Sequence, residues 1–214
     1  MKVLGLDTST LTSGIAVLVD GKVVAEARHD ASAHKSDLLV AIDDVCKRAG
    51  VAPMELDAIA VGAGPGSFTG LRIGMATAKG IAFAAGKPLW AVSSLAALAW
   101  GHPGFVVAVL DARKREVYAG CYRDGALVDV ERVLPPDAVG PWATELAPDQ
   151  LITYVGDMLA PETTTPSGAA VAALALAGAR VDVVTEAAPS YIRKAEAEVM
   201  YPDGVPGALR RRDP

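Results

Sequence analysis

The chain has 214 residues, of which 51% are hydrophobic and only 5% aromatic, and its formal net charge is −5 at pH 7. This length supports one or two domains with a sizeable core that is aliphatic and rich in alanine. The acidic balance argues against a free-standing nucleic-acid binder, which normally presents a basic stripe. If RNA is involved, we expect another subunit to supply most of the basic surface.

The cysteines and the apolar segments indicate a cytoplasmic chain. Cys46 and Cys121 match neither CxxC nor zinc spacing, so we expect buried, reduced thiols. The N-terminus begins with a predicted strand instead of the basic and apolar regions of a signal peptide. The longest apolar stretch, residues 169–177, is too short to span a bilayer.

Apolar runs and turn residues predict alternating strands and helices in the first half. The predicted elements are strands at 2–7, 12–19 and 22–28, a helix at about 34–48, a strand at 57–61, a helix at 67–85 and a strand at 89–92. Asp20-Gly21 is a strong signal for a two-residue hairpin turn between the second and third strands. Gly50 and Pro53 are expected to end the first helix.

A glycine-rich turn at residues 62–74 joins the fourth strand to the second helix. Ser67 and Thr69 can cap that helix, whose first N–H groups would face an anion or a partner group. The turn does not end in Gly-Lys-Ser/Thr, so it is not a Walker A loop. A tight turn that allows close helix packing explains the same residues equally well.

The second half repeats the order of elements of the first. The predicted elements are strands at 105–111, 116–123 and 126–133, a helix at 138–147, a strand at 151–155, a helix at 167–178 and a strand at 181–184. Asp7 and Asp20 are 13 residues apart, as are Asp111 and Asp124. We therefore predict a duplication, with lobes at 1–103 and 104–195, a tail at 196–214, and a ligand cleft between the lobes.

Two halves that each open on a strand, an aspartate and a hairpin resemble the ribonuclease-H-like lobes of the actin, sugar-kinase and heat-shock ATPase superfamily. Within it, the chain is similar to the TsaB (YeaZ) family at residues 7–10, 64–74, 111–113 and 188–193. The most specific match is Gly-Pro-Gly-Ser-Phe-Thr-Gly at 64–70. The resemblance covers residues 1 to about 195 and implies an α/β fold of two tandem lobes, each a mixed sheet with flanking helices.

The resemblance also implies a role. TsaB is the non-catalytic partner of TsaD, and through it of the ATPase TsaE, in the transfer of threonylcarbamoyl from its adenylate to N6 of the adenosine next to the tRNA anticodon. ATP, Mg²⁺ and threonylcarbamoyl-adenylate are then expected on the partner subunits. Contact with tRNA is expected only through the complex, and contact with membranes is not expected.

The metal chemistry of TsaD is missing from this sequence. TsaD carries a His-x-x-x-His metal site just after the strand that follows its glycine-rich helix, where this chain has Ser94 and Leu98. A leucine cannot ligate a metal, and His29, His34 and His102 are not paired at metal-ligand spacing. We therefore predict no metal site and no catalytic residue in this chain.

A nucleotide-dependent kinase or ATPase of the same superfamily is the alternative. Asp7 and Asp111 could face a nucleotide cleft and hold magnesium through water, with Thr8 and Ser9 near the phosphates. The same residues also suit strand ends and a polar turn. No further aspartate is a convincing base for an acceptor hydroxyl.

A peptidase would need a serine with a nearby base and a third group that orients the base. Ser67, Ser93 and Ser94 are the candidate nucleophiles. His102 follows Ser94 by only eight residues, and apart from the glycine-rich turn nothing indicates an oxyanion hole. We therefore do not favour hydrolysis.

The two long helices of the first half predict a protein-binding surface. In the first, apolar residues fill an arc of about 160°, wider than the ~100° that a surface helix needs, and Val40 stands alone on the polar side. In the second, Arg72 and Lys79 fall on one narrow stripe of an otherwise apolar or small helix. The predicted partner-binding residues are Leu38, Leu39, Val40, Ile42, Val45, Cys46, Leu71, Arg72, Ile73, Met75 and Lys79.

In the TsaB family these two helices pair with their equivalents in a partner to form a helical bundle. A homodimer of the isolated chain and a heterodimer with TsaD would then compete for one surface. A third possibility is a homodimeric binding module with an unrelated partner.

Overall fold

The computed structural model describes residues 1–30 and 38–182. The strands are β1 Lys2–Asp7, β2 Thr12–Val19, β3 Lys22–Asp30, β4 Ala58–Gly62, β5 Leu89–Val92, β6 Phe105–Arg113, β7 Glu116–Arg123, β8 Ala126–Leu127, β9 Arg132–Leu134, β10 Ile152–Gly156 and β11 Val181–Asp182. The helices are α1 Leu38–Ala49, α2 Phe68–Ala85, α3 Ser94–Ala99, α4 Pro136–Leu146 and α5 Gly168–Leu176, with a 3-10 turn at Pro53–Glu55. The predicted start of the first helix, the motif at 188–193 and the tail at 196–214 lie outside the described residues.

Both predicted Asp-Gly hairpins are confirmed. Asp20 and Gly21 adopt φ angles of 50° and 76°, and Asp124 and Gly125 adopt 49° and 84°. Two successive residues with positive φ form the turn that matches the right-handed twist of paired strands. Each turn therefore fixes the register of the strands on either side of it.

The chain forms an α/β structure with two mixed sheets. The first sheet has the strand order β11-β5-β4-β1-β2-β3, and the second has the order β10-β6-β7-β8, with β9 also paired to β7. In the first sheet, β4 runs parallel to β1 and β2 antiparallel to it. In the second, β10 runs parallel to β6 and β7 antiparallel to it. The central strands of the two sheets thus share one order and one set of directions.

The last two elements depart from the predicted second lobe. The last helix that the structure describes, α5, packs on β1 and β2 of the first sheet, and β11 pairs antiparallel with β5. Residues 168–182, predicted in the second lobe, thus pack on the first sheet, while the lobe boundaries themselves stay a prediction. The physical reason is a close contact of backbones, because a β-carbon on Gly5 would lie 1.9 Å from the carbonyl oxygen of Gly168.

The first sheet is covered on both faces, so its strands β1, β2, β4 and β5 are buried along most of their length, whereas the edge strands β3 and β11 are largely exposed. On one face, α1 and α2 form a core with side chains such as Leu6, Ile15 and Val61. On the other face, α5 packs against Val3 and Leu18. Alternation along each strand directs neighbouring side chains to these two cores.

A short helix that the sequence analysis does not predict, α3, joins the two sheets. The Ser93 hydroxyl caps it by accepting hydrogen bonds from the N–H groups of Leu95 and Ala96. Leu95 and Leu98 are buried in a cluster that includes Leu110 of β6. Because α3 follows β5 directly and packs on β6, it ties the first sheet to the second.

Within residues 1–30 and 38–182, no helix is both long enough and apolar enough to cross a membrane.

Candidate functional site

Asp7, the last residue of β1, is fully buried. Its Oδ1 atom accepts hydrogen bonds from the N–H and the hydroxyl of Ser9, at 2.8 and 2.6 Å. Its Oδ2 atom accepts one from the Ser94 hydroxyl at 2.7 Å. The side chain has no solvent exposure, and a β-carbon on Gly62 would lie 1.8 Å from Oδ2. The carboxylate therefore binds groups of its own chain.

The polar residues that follow Asp7 are bonded to the glycine-rich turn. The Thr8 hydroxyl donates to the carbonyl oxygen of Gly70 at 2.8 Å, and the N–H of Ser67 donates to the carbonyl oxygen of Ser9 at 2.7 Å. The N–H of Gly64 donates to the Ser94 hydroxyl at 3.2 Å. The N–H groups of Gly64 and Ser67, in the glycine-rich turn, are thus occupied by acceptors of the chain itself.

The buried Asp7 makes stability depend on pH. Burial raises the pKa of the Asp7 carboxyl above its ordinary value of 3.8, and hydrogen bonds from Ser9 and Ser94 oppose that rise. The folded chain therefore holds this proton more tightly than the unfolded chain, and this carboxyl makes folding less favourable as pH rises above 3.8.

We expect Asp7→Asn to remove that dependence. Between the ordinary and the raised pKa, the free energy of unfolding of the wild type should fall relative to the variant by up to about 1.4 kcal/mol per pH unit. Urea unfolding of both proteins between about pH 4 and 7 measures the difference. If the free energy of unfolding of the wild type does not fall relative to that of Asp7→Asn as the pH rises, the pKa of Asp7 is not raised.

Asp111, at the equivalent position in the second sheet, is partly exposed. Its Oδ1 atom accepts from the N–H of Arg113 at 2.7 Å, and its Oδ2 atom lies 3.1 Å from the guanidinium of Arg113. Its own N–H donates to Asp157 at 2.9 Å. Burial and the charge of Asp111 raise the pKa of Asp157. Nucleotide binding by Asp7, Thr8, Ser9 and Asp111 stays a prediction, in which Asp7 would first have to be uncovered.

The candidate nucleophilic serines are bonded to carboxylates or to backbone. Ser94 donates to Asp7, and Ser67 caps α2 by accepting from the N–H of Gly70. Ser93 donates to Glu131, which also accepts from the Tyr122 hydroxyl at 2.6 Å. Within the described residues, none of these serines is hydrogen-bonded to a histidine. The same part of the chain contains no cluster of three or more His, Cys, Asp or Glu side chains that could hold a metal.

The structure corrects the predicted partner-binding surface. Several of the predicted residues lie in the chain's own core and cannot reach a partner in this conformation: Leu38, Ile42, Val45, Cys46, Leu71 and Met75. Ile73 is half-buried against the same core. Leu39, predicted as part of the wide apolar arc of α1, is exposed together with Val40, because only a narrow stripe of the helix covers β2 and β3. Arg72 and Lys79 of α2 are exposed as predicted.

Two phenylalanines on α2 were missed. Phe83 is 90% exposed and Phe68 is 43% exposed. At 100° per residue, both lie on the narrow stripe that carries Arg72 and Lys79, and the Arg72 guanidinium lies 3.9 Å from the centre of the Phe68 ring. The sequence alone could have predicted this, since the helical wheel that places Arg72 and Lys79 on one stripe also places the two phenylalanine rings there.

A cavity of about 220 Å³ lies where β3 ends and where the N-terminal ends of α1 and α2 meet the β1–β2 connection. Its polar lining comprises Thr8, Thr10, Ser13, His29, Ser67 and Thr69. Leu38, a predicted partner residue, forms part of the wall. The exposed Leu39 and Val40 follow it directly in α1, so the cavity adjoins the exposed apolar residues of this helix.

Comparisons with known proteins place the chain among proteins of tRNA threonylcarbamoyladenosine biosynthesis. Residues 28–201 match the model of the TsaD family, described as tRNA N6-adenosine threonylcarbamoyltransferase. The Escherichia coli tRNA threonylcarbamoyladenosine biosynthesis protein TsaB is 33% identical over 178 residues, which cover 78% of this chain and 77% of that protein. An uncharacterized Mycobacterium leprae protein is 34% identical over 218 residues and 95% of this chain, and the match spans 58% of that relative's length.

Similarity in three dimensions extends over most of the chain. The solved structure of YeaZ from Pseudomonas aeruginosa superposes with a TM-score of 0.72 at 33% sequence identity. The superposition covers 89% of this chain and 100% of that structure. At this level of identity, the likeness extends from the fold to the family.

Proposed function

The chain belongs to the TsaB (YeaZ) family, and from that premise we propose that it is the non-catalytic subunit of a tRNA threonylcarbamoyltransferase complex. It would hold TsaD, and through it the ATPase TsaE, in a state that transfers threonylcarbamoyl from its adenylate to N6 of the adenosine next to the tRNA anticodon. ATP, Mg²⁺ and threonylcarbamoyl-adenylate would bind to those partners. The chain would act in the cytoplasm and meet tRNA only within the complex.

One observation carries the accessory role, namely the exposed apolar side chains on α1 and α2. Leu39 and Val40 project from α1, and Phe68 and Phe83 from α2, with exposed fractions between 43% and 90%. Aromatic residues and arginine are enriched where proteins bind one another, and lysine is not. A surface with Phe68, Phe83 and Arg72 on one stripe therefore suits a partner helix better than bulk water.

The state of Asp7 supports a role without chemistry of its own. In a nucleotide-dependent member of the superfamily, this carboxylate would have to face the ligand cleft. Here three hydrogen bonds from Ser9 and Ser94 saturate much of its acceptor capacity, and the side chain has no solvent exposure. Through Ser94, these hydrogen bonds connect α3 and the glycine-rich turn to β1.

We also infer that the two sheets are tandem ribonuclease-H-like lobes. The matching order and direction of β4-β1-β2 and β10-β6-β7 support this inference. The helix α5 then packs on the sheet of the first lobe. In the isolated chain, a homodimer would cover the exposed residues of α1 and α2 that TsaD covers in the complex.

Omission of single subunits tests the proposal. With TsaD, TsaE, ATP, Mg²⁺, threonylcarbamoyl-adenylate and tRNA present, we expect modification to require this chain and to fall by at least about 100-fold without it, equivalent to ~3 kcal/mol. The yield of modified adenosine, measured by mass spectrometry of digested tRNA, is the readout.

Two results would contradict the accessory role. One is transfer by this chain alone, without TsaD. The other is micromolar binding of ATP and magnesium to the isolated chain, with release of phosphate, in calorimetric and phosphate assays. The second result would support the kinase or ATPase alternative.

A further inference from the structure

The cavity between the ends of α1 and α2 contains a buried hydroxyl that has no hydrogen-bond partner among residues 1–30 and 38–182. Ser13 is only 3% exposed and lines this cavity. It lies on β2 two residues before Ile15, so its side chain points to the same face of the sheet, towards the core formed with α1 and α2. Within the described residues, its hydroxyl makes no hydrogen bond. A buried polar group of this kind is unfavourable unless a ligand or water satisfies it.

Further hydrogen-bond donors line the same cavity as Ser13. His29 lies directly opposite Ser13 in the β2–β3 register and lines the same cavity. Thr69, the second residue of α2, contributes a hydroxyl and an N–H group that have no acceptor in the described part of the chain. That N–H is one of the unpaired groups at the start of an 18-residue helix, where the helix dipole favours negative charge.

The rest of the wall limits the kind of ligand. Leu11, Leu38 and Ile73 provide an apolar side, and no described residue of the lining carries a carboxylate. The volume of about 220 Å³ is below the roughly 300–1,000 Å³ of sites for drug-sized ligands. A small molecule with one acceptor-rich end therefore fits the donors and the wall.

We propose that this cavity binds a small molecule that carries a carboxylate or phosphate group on a short aliphatic body. The anionic group accepts hydrogen bonds from Ser13, Thr69 and His29 at the positive end of α2. The aliphatic part contacts Leu38 and Ile73. The site belongs to this chain alone, so the proposal does not depend on the role assigned above and is tested on the isolated protein.

Titration of the full ¹⁵N-labelled chain, followed by ¹H–¹⁵N correlation spectra, tests the site. The probes are butyrate and propyl phosphate, with butyramide as the neutral analogue and sodium chloride at matched ionic strength. We expect at least one anion to shift the amide signals of Thr69 and Gly70 in a saturable way. Saturation by butyrate alone assigns a carboxylate ligand, and saturation by propyl phosphate alone assigns a phosphate ligand.

Substitutions at the donors separate this site from a general effect of salt. Ser13→Ala and Thr69→Val should each raise the dissociation constant by about tenfold or more, equivalent to the loss of one charge-assisted hydrogen bond. Thr77→Val, on the same helix but outside the cavity lining, should leave it unchanged. The proposal is wrong if neither anion saturates, if butyramide binds as tightly, or if both donor variants remain folded and bind like the wild type.

Discussion

Replacing Gly5 with alanine is expected to lower the free energy of unfolding by about 3 kcal/mol or more, at the upper end of the usual overpacking range. The added methyl would lie 1.9 Å from the carbonyl oxygen of Gly168 and 2.9 Å from the β-carbon of Ala172. Neither obstacle is the end of a flexible side chain, so α5 would have to move away from β1. Urea unfolding, followed by circular dichroism, measures the loss.

Gly80→Ala provides the matched control. Gly80 lies in α2, and a β-carbon there meets nothing within 4 Å. Alanine should therefore stabilise the helix by about 0.5–1 kcal/mol, since glycine loses more backbone freedom on folding. If Gly5→Ala leaves stability unchanged, α5 is not seated on the first sheet as described.

Val40→Asp and Phe83→Asp are each expected to weaken binding of TsaD by at least about 100-fold, or ~3 kcal/mol. Both side chains are exposed in the isolated chain, at 67% and 90%, so their replacement should leave the fold intact. In an apolar helix interface, each new carboxylate would lose its hydration, which is strongly unfavourable for a charged group. Surface plasmon resonance against immobilised TsaD measures the change in affinity.

Leu151→Asp controls for the general effect of an added charge. Leu151 is 89% exposed and precedes β10 of the second sheet, away from α1 and α2. Its replacement should leave the affinity for TsaD within about twofold of the wild type, as for charges outside an interface. Unchanged binding by both Val40→Asp and Phe83→Asp would show that α1 and α2 do not form the partner surface.

Local signals in the sequence predicted most of the elements. The Asp-Gly pairs at 20–21 and 124–125 specify positive φ angles, which few residue types adopt, so both hairpins are where the pattern places them. The second helix is equally well defined, because Ser67 caps its start and Gly86, at φ 64°, ends it in the left-handed conformation. Boundaries set by such residues depend little on the rest of the fold.

Features that depend on distant contacts were not predictable in the same way. The apolar pattern of α5 shows that the helix is buried but not which sheet covers it, and the close approach of Gly5 and Gly168 is visible only in three dimensions. Likewise, the sequence placed Ser94 only at the position of a TsaD metal ligand and among the candidate nucleophiles. Its bond to Asp7, 87 positions away in sequence, depends on the tertiary fold.

Placement of α5 on the first sheet has a consequence for synthesis of the chain. The strands β1 and β2 are made early by the ribosome, but Val3 and Leu18 gain their cover only when residues 168–176 have emerged. A nascent chain that stops before this point would expose one apolar face of a sheet. Vectorial folding of the first sheet is thus incomplete until residues 168–176 have been translated, which makes the growing polypeptide a client for chaperones.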